Sequence, residues 1–237
     1  MIKQLIRYSP LAMPMRSLRA CARQLARRVQ GLPERHANPY ATHLPVLVAL
    51  AQIVPVRRVA EFGCGMYSTL TFLDRAVFPE LIQLDSFEND VAWVERLRAA
   101  VGSDSRVRLT PVAGPMSRAV DDLPLYAYDL IFIDDSLTAE ERVATIRAVS
   151  SARPLPGIVV IHDFEHPLYQ HAAADFAQRF RFVALNPNSG VAWDAAHIDE
   201  GQLRQLQRVL ARHATRVQPD DRAAWLQLLR HTLTGSR

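Results

Sequence analysis

Five side chains in this sequence have the type and placement to do chemistry: Glu61, Glu88, Asp134, His162 and Asp163. Each lies at or near the end of a short apolar run of the kind that fills a buried parallel strand. In an open α/β sheet the carboxyl ends of the strands share one edge, and ligands bind there. A carboxylate at that edge accepts paired hydrogen bonds from vicinal hydroxyls. A histidine titrates near neutrality and so moves protons. Asp134 and Asp163 should end neighbouring strands, and two like charges in one crevice raise the proton affinity of one of them unless a cation intervenes. His162 precedes Asp163 directly, so alternation sends the two to opposite faces unless the strand has already ended.

The elements that position these residues are legible in order. In the stretch 58–73, Val59, Ala60 and Phe62 form an apolar strand. Gly63 and Gly65 break it, and Leu70, Leu73 and Val77 then recur at helical spacing, with Tyr67 or Ser68 near the helix start. A strand, a glycine turn and a helix start leave free backbone N–H groups that a polar ligand can approach. Residues 81–87 read as a second strand ending at Glu88, and Asp90 caps a helix carrying Trp93, Leu97 and Val101. Glu88 falls about where a βαβ unit places an acid for ribose hydroxyls, with Asp85 as its rival. Residues 106–112 form a third strand, and 128–134 a fourth that ends in Asp134. The helix 138–151 follows, with Thr138 as N-cap. Residues 157–161 form a fifth strand, leading to His162 and Asp163. A helix is expected over 169–179, then two late strands at 180–185 and 191–193. Amphipathic helices near 201–213 and 221–233 close the chain. Ahead of the first strand, residues 38–45 lead into an apolar helix over 46–53.

Glu61, Gly63 and Gly65 resemble motif I of the class I S-adenosylmethionine-dependent methyltransferases, which reads acid-x-Gly-x-Gly. Met66-Tyr67-Ser68-Thr69 stands where a third glycine is usual. The succession of β-then-α units with a terminal hairpin extends the resemblance over roughly residues 40 to 195. It implies a Rossmann-like α/β fold: a mostly parallel seven-stranded sheet, a C-terminal antiparallel hairpin and helices on both faces. It also implies S-adenosyl-L-methionine as cofactor, held by Glu61, Gly63, Gly65, Tyr67, Ser68, Thr69, Glu88 and Asp134. In that superfamily the helix before the first strand often closes over the cofactor, which brings Tyr40, Thr42 and His43 within reach. The acid that often contacts adenine after the third strand is missing, since Ala113-Gly114-Pro115 occupies that place.

Methyl transfer to an oxygen needs the acceptor's proton removed. His162, Asp163 and Asp134 are the candidate catalytic residues, with His43 behind them. Asp134 and Asp163 also resemble the pair that holds magnesium in catechol-type O-methyltransferases. That pattern wants an asparagine after the second aspartate, and Phe164 stands there. His162, Asp163 and His166 form a weaker transition-metal set. The expectation is therefore a base-driven reaction with no metal. The expected function is O-methylation of a small molecule or sugar. The alternatives are a non-catalytic cofactor-binding domain of the same fold and a nicotinamide-dependent oxidoreductase.

Composition narrows the remaining classes. The chain has 237 residues, 49% of them hydrophobic and 22% charged, as soluble globular domains do. Its net charge of +4 comes with a single lysine, Lys3, and no arginine run interleaved with aromatics, so no nucleic-acid partner is expected. Cys21 and Cys64 provide neither a disulfide framework nor paired metal spacing. No apolar run approaches the roughly 20 residues that span a bilayer, and Arg7, Pro10 and Pro14 interrupt any signal-peptide core, so a cytoplasmic location is expected. Residues 1–36 are expected to form a basic helical extension, with Met15, Leu18, Leu25 and Val29 on one face. Residues 37–200 form the α/β domain, and the helices of 201–237 cover its sheet or pair two subunits as a homodimer.

Overall fold

The computed structural model describes residues 38–234 apart from 136–137, 154 and 197, so the expected N-terminal basic helix lies outside the described residues. A 3-10 turn over Pro39–Ala41 leads into α1 (Leu44–Leu50). The chain continues through β1 (Arg58–Phe62), α2 (Ser68–Leu73), β2 (Gln83–Glu88), α3 (Val91–Val101), β3 (Val107–Pro111) and α4 (Ser117–Asp121). Then come β4 (Leu130–Ile133), α5 (Ala139–Ser151), β5 (Ile158–His162), α6 (Pro167–Ala172), β6 (Gln178–Phe182) and β7 (Ser189–Trp193), followed by α7 (Glu200–His213) and α8 (Arg222–Thr234).

The strands form one seven-stranded sheet in the order β3-β2-β1-β4-β5-β7-β6. All neighbours from β3 through β5 are parallel, and β7 runs antiparallel to both β5 and β6. The order therefore reverses between β1 and β4, the place beyond the strand ends where open α/β sheets bind ligands.

Strand alternation divides the sheet's side chains between two apolar layers. Val59, Leu84, Leu130, Phe132, Ile158 and Val160 pack on one face with α1, α2, α7 and α8. Ala60, Phe62, Phe87, Ile131, Ile133, Val159 and Ile161 pack on the other with α4, α5 and α6. This parity fixes the site. Glu61 follows Val59, Ser86 follows Leu84, Asp134 follows Phe132, and His162 follows Val160, each at a spacing of two. All four thus project toward the layer that holds α1 and α2.

Several local expectations change. The helix expected over 169–179 ends at Ala172, because Gln178 and Arg179 pair with Trp193 and Ala192 as the start of β6. Six residues of helix are held there by the His166 N-cap and Pro167 rather than by a long apolar stripe. The helix expected over 46–53 runs instead over Leu44–Leu50, with Pro45 in its first turn. Thr138 occupies the N-cap position of α5, but its hydroxyl donates to Glu141 rather than accepting a backbone amide. Asp90 caps α3 in the expected way, accepting from the Trp93 amide at 3.1 Å.

Candidate functional site

The site is built where β1, β2, β4 and β5 end. Glu61 is wholly buried, and its Oε2 accepts from Thr69 Oγ1 at 2.7 Å and from Ser86 Oγ at 2.5 Å. Its Oε1 has no hydrogen-bond partner. Burial pushes this carboxyl up to about 7, against the pull of the neighbouring hydroxyls.

The turn after β1 is tied down from two sides. Gly63 has φ +87°, and a Cβ there would lie 2.5 Å from the carbonyl carbon of Asp134 and the amide nitrogen of Asp135. Only glycine lets the end of β4 pass so close. Gly65 differs, because a Cβ there meets nothing nearer than Ser68 Oγ at 3.6 Å. Thr69 Oγ1 accepts from the Gly65 amide at 3.1 Å, and the Trp93 indole donates to the Cys64 carbonyl at 2.9 Å. Tyr67 lies at the start of α2, and its hydroxyl meets the Asn38 side-chain amide. Asn38 is thereby tied to the residue that starts α2.

Glu88 is half-buried at the end of β2. One of its oxygens accepts from the amides of Asn89 and Asp90 at 2.8 and 2.9 Å, leaving the other without a described hydrogen bond. Burial raises its proton affinity, and the two amides oppose that rise. Asp85, the rival, is committed elsewhere. It pairs with Arg108 Nε at 2.9 Å and accepts from Tyr128 and Gln83 at 2.7 and 2.6 Å.

On the other side of the crevice, His162 bridges two partners. Its Nδ1 lies 3.1 Å from Asp134 Oδ1 and its Nε2 3.0 Å from Thr42 Oγ1. Burial would lower the proton affinity of His162, but the Asp134 carboxylate outweighs it and the net shift is upward. Burial would likewise raise Asp134, but His162 and Arg142 hold it well below the usual carboxylate range. Asp163 has φ +55°, so the strand has ended at His162 and the chain turns. That turn brings both side chains to the same edge, with Asp163 Oδ1 3.7 Å from His162 Nδ1.

His43 completes the wall from the α1 side. Its ring is 5.0 Å from Phe132 and 4.8 Å from His162, and neither ring nitrogen has a hydrogen-bond partner. Burial first, and then the charge of His162, lower it to about 3, so it is neutral. Ligating atoms of His43, Asp134 and His162 lie within 4.8 Å of one another. Binding a metal through His162 Nδ1 would require giving up the Asp134–His162 hydrogen bond. His166 lies apart from this group, with its Nδ1 accepting the Leu168 amide and its ring against Tyr169. Tyr40 is exposed on the 3-10 turn.

Arg142 and Ser86 are the members that the sequence reading did not include. Arg142 reaches over from α5 and contacts Asp134 Oδ1 at 2.9 Å and Asp163 Oδ2 at 2.8 Å. A magnesium site of the catechol type does not fit these residues. A guanidinium already bridges its two aspartates, and the side chain after the second is the buried ring of Phe164, packed against Gly190.

The sheet order, with its single antiparallel strand β7 and its glycine turn after β1, is the Rossmann-like fold of the class I S-adenosylmethionine-dependent methyltransferases. One solved structure supports the fold. Spermidine synthase in complex with the transition-state analogue AdoDATO is 15% identical with a TM-score of 0.52, over 80% of this chain and 76% of that one. Cofactor-bound Rv0187 from MTB is 20% identical with a TM-score of 0.49, over 75% of this chain and 90% of that one. The O-methyltransferase TomG from Streptomyces achromogenes, solved with SAM, is 19% identical with a TM-score of 0.43, over 74% of this chain and 89% of that one. At 15% identity the likeness to spermidine synthase speaks for the fold alone, and the two likenesses with TM-scores under 0.5 carry no argument. No protein-family model and no curated protein sequence matches this chain. No helix among the described residues is long and apolar enough to cross a membrane.

Proposed function

We propose that this protein is an S-adenosylmethionine-dependent methyltransferase acting on an oxygen of a small molecule or sugar. The observation that carries the reading is the convergence of Glu61, Glu88, Asp134 and His162 on one crevice, at the strand-order reversal beside an open glycine turn. The residues present fit the cofactor. Glu88 keeps one carboxylate oxygen for ribose hydroxyls, and Gly65 leaves room for close backbone approach. Glu61 Oε1 is buried without a geometric hydrogen bond, and the Ser68 hydroxyl stands near this carboxyl. When bound, the cofactor supplies a methyl group already activated on a sulfonium.

The chain's own task is then to align the acceptor and take its proton. In the tautomer with the proton on Nδ1, His162 donates to Asp134 and presents Nε2 to the Thr42 hydroxyl. The acceptor's proton passes to Thr42 Oγ1 as Thr42 passes its own to His162 Nε2; Thr42 is buried, and its hydroxyl also reaches the Pro39 carbonyl at 3.3 Å. The imidazolium formed is stabilised by Asp134, whose negative charge is secured by Arg142. Asp163, the more exposed of the two aspartates, faces the crevice and orients the acceptor.

Screening small-molecule acceptors for conversion of S-adenosylmethionine to S-adenosylhomocysteine tests this reading. Turnover with a hydroxyl acceptor, lost in a methyl-capped analogue of that acceptor, is expected. Cofactor binding with no turnover of any acceptor would favour the non-catalytic alternative.

A further inference from the structure

Asp134 and Asp163 end neighbouring strands, and the cation between them is part of the protein. The Arg142 side chain is 5% exposed, with Nη2 2.9 Å from Asp134 Oδ1 and Nη1 2.8 Å from Asp163 Oδ2. Nε donates to the Asp135 carbonyl at 2.6 Å, and the Tyr169 ring lies 5.4 Å from the guanidinium carbon. Each face of the fork therefore has a partner, which is what a buried guanidinium needs to remain charged. Asp163 adopts φ +55°, a conformation unfavourable for most side chains, and its carboxylate lies on this cation.

We propose that Arg142 is a built-in counter-cation occupying the position between Asp134 and Asp163 that a divalent metal would otherwise take. The pair is then fixed without any metal, and Arg142 is a positioning residue. By holding Asp134 Oδ1 it fixes the carboxylate that orients His162, and by holding Asp163 Oδ2 it leaves Oδ1 toward the crevice. A guanidinium suits this better than an ammonium, because its planar fork reaches two carboxylates at once. The ion-binding part stands without the methyltransferase reading; only its kinetic consequence rests on that reading.

Removing the cation reverses the balance of charge. Two carboxylates left facing one crevice repel each other, and a dication relieves that repulsion. Manganese(II) titration of the full chain, followed by loss of the free-ion electron paramagnetic resonance signal, reads this directly. Arg142→Ala is expected to bind one manganese ion at least about tenfold more tightly than the wild-type protein does. Adding Asp163→Asn is expected to abolish that gain. Equal binding by wild type and Arg142→Ala, or a gain that survives Asp163→Asn, overturns the proposal. If Arg142→Ala unfolds, millimolar magnesium should restore its circular dichroism, and a variant that magnesium leaves unfolded also overturns it. Given an acceptor, Arg142→Lys should lower kcat at least about tenfold while the S-adenosylhomocysteine Kd stays within about twofold of wild type. An unchanged kcat in that variant, with manganese binding as described, would leave the cation in place but remove its role in positioning.

Discussion

Gly63 and Gly65 belong to one motif but should respond oppositely to the same substitution. At Gly63 an added Cβ would sit 2.5 Å from backbone atoms of Asp134 and Asp135, at φ +87°. Left-handed backbone costs an L-residue roughly 1–2 kcal/mol, and forced overpacking roughly 1–3 kcal/mol more. The obstructing atoms are main chain at the end of a central strand, so they cannot move aside cheaply. Gly63→Ala is therefore expected to lose about 2–5 kcal/mol, which lowers the Tm of a chain this size by roughly 5–15 °C. At Gly65 the nearest atom to an added Cβ is the Ser68 hydroxyl at 3.6 Å, an ordinary contact. Gly65→Ala should leave the Tm within about 2 °C, or raise it slightly through lost chain entropy. Its methyl group instead narrows the approach to the turn, and affinity for S-adenosylhomocysteine should fall about tenfold or more. Differential scanning fluorimetry and calorimetry on the two variants check both halves. Equal melting temperatures for the two variants would refute the assignment of Gly63 to the β1–β4 contact, and unimpaired binding by Gly65→Ala would refute its role as the open side of the turn.

Glu88→Gln keeps an acceptor for the Asn89 and Asp90 amides but removes the charge, so calorimetry should show binding weakened roughly tenfold to a hundredfold with little change in Tm. Unchanged affinity would exclude Glu88 from cofactor binding. Glu61 has a raised carboxyl, near 7 against 4.5 when unfolded, so the stability linked to its proton is present at low pH and lost as pH rises toward and through 7. Relative to Glu61→Gln, the wild type should lose about 2.5 kcal/mol between about pH 5 and about pH 8 in urea unfolding, and parallel pH profiles would contradict this. His162→Gln should lower kcat by about 100-fold or more while sparing cofactor affinity, and an unaltered kcat would remove His162 from proton transfer.

The fold was legible because its signals are local and repeated. Apolar runs ended in polar residues at one edge, glycines marked the first turn, and Asp90 announced a helix. The helix placed over 169–179 went astray because Phe180 and Phe182 begin their pairing early, at Gln178, and strand pairing with β7 took over the last residues of the apparent helix. The candidate site was legible at the strand ends, where parity alone carries Asp134 and His162 to one face. Arg142 was not read from the sequence, although it lies in register with Thr145, Ile146 and Val149 on the buried stripe of its helix. A charged residue on an apolar stripe is itself a signal that a buried partner exists. Thr42 was expected within reach of the site and meets His162 there, whereas Ser86 left no such trace, because a hydroxyl on a strand looks the same whether it meets a carboxylate or water.

Cofactor recognition is the claim on which the rest depends, and calorimetric titration of the full chain against S-adenosylhomocysteine and NADH tests it most directly. One molecule of S-adenosylhomocysteine should bind per chain, with binding weakened in Gly65→Ala and Glu88→Gln and no heat from NADH. Binding of NADH, or the absence of S-adenosylhomocysteine binding by a protein with an intact melting transition, would contradict the methyltransferase reading.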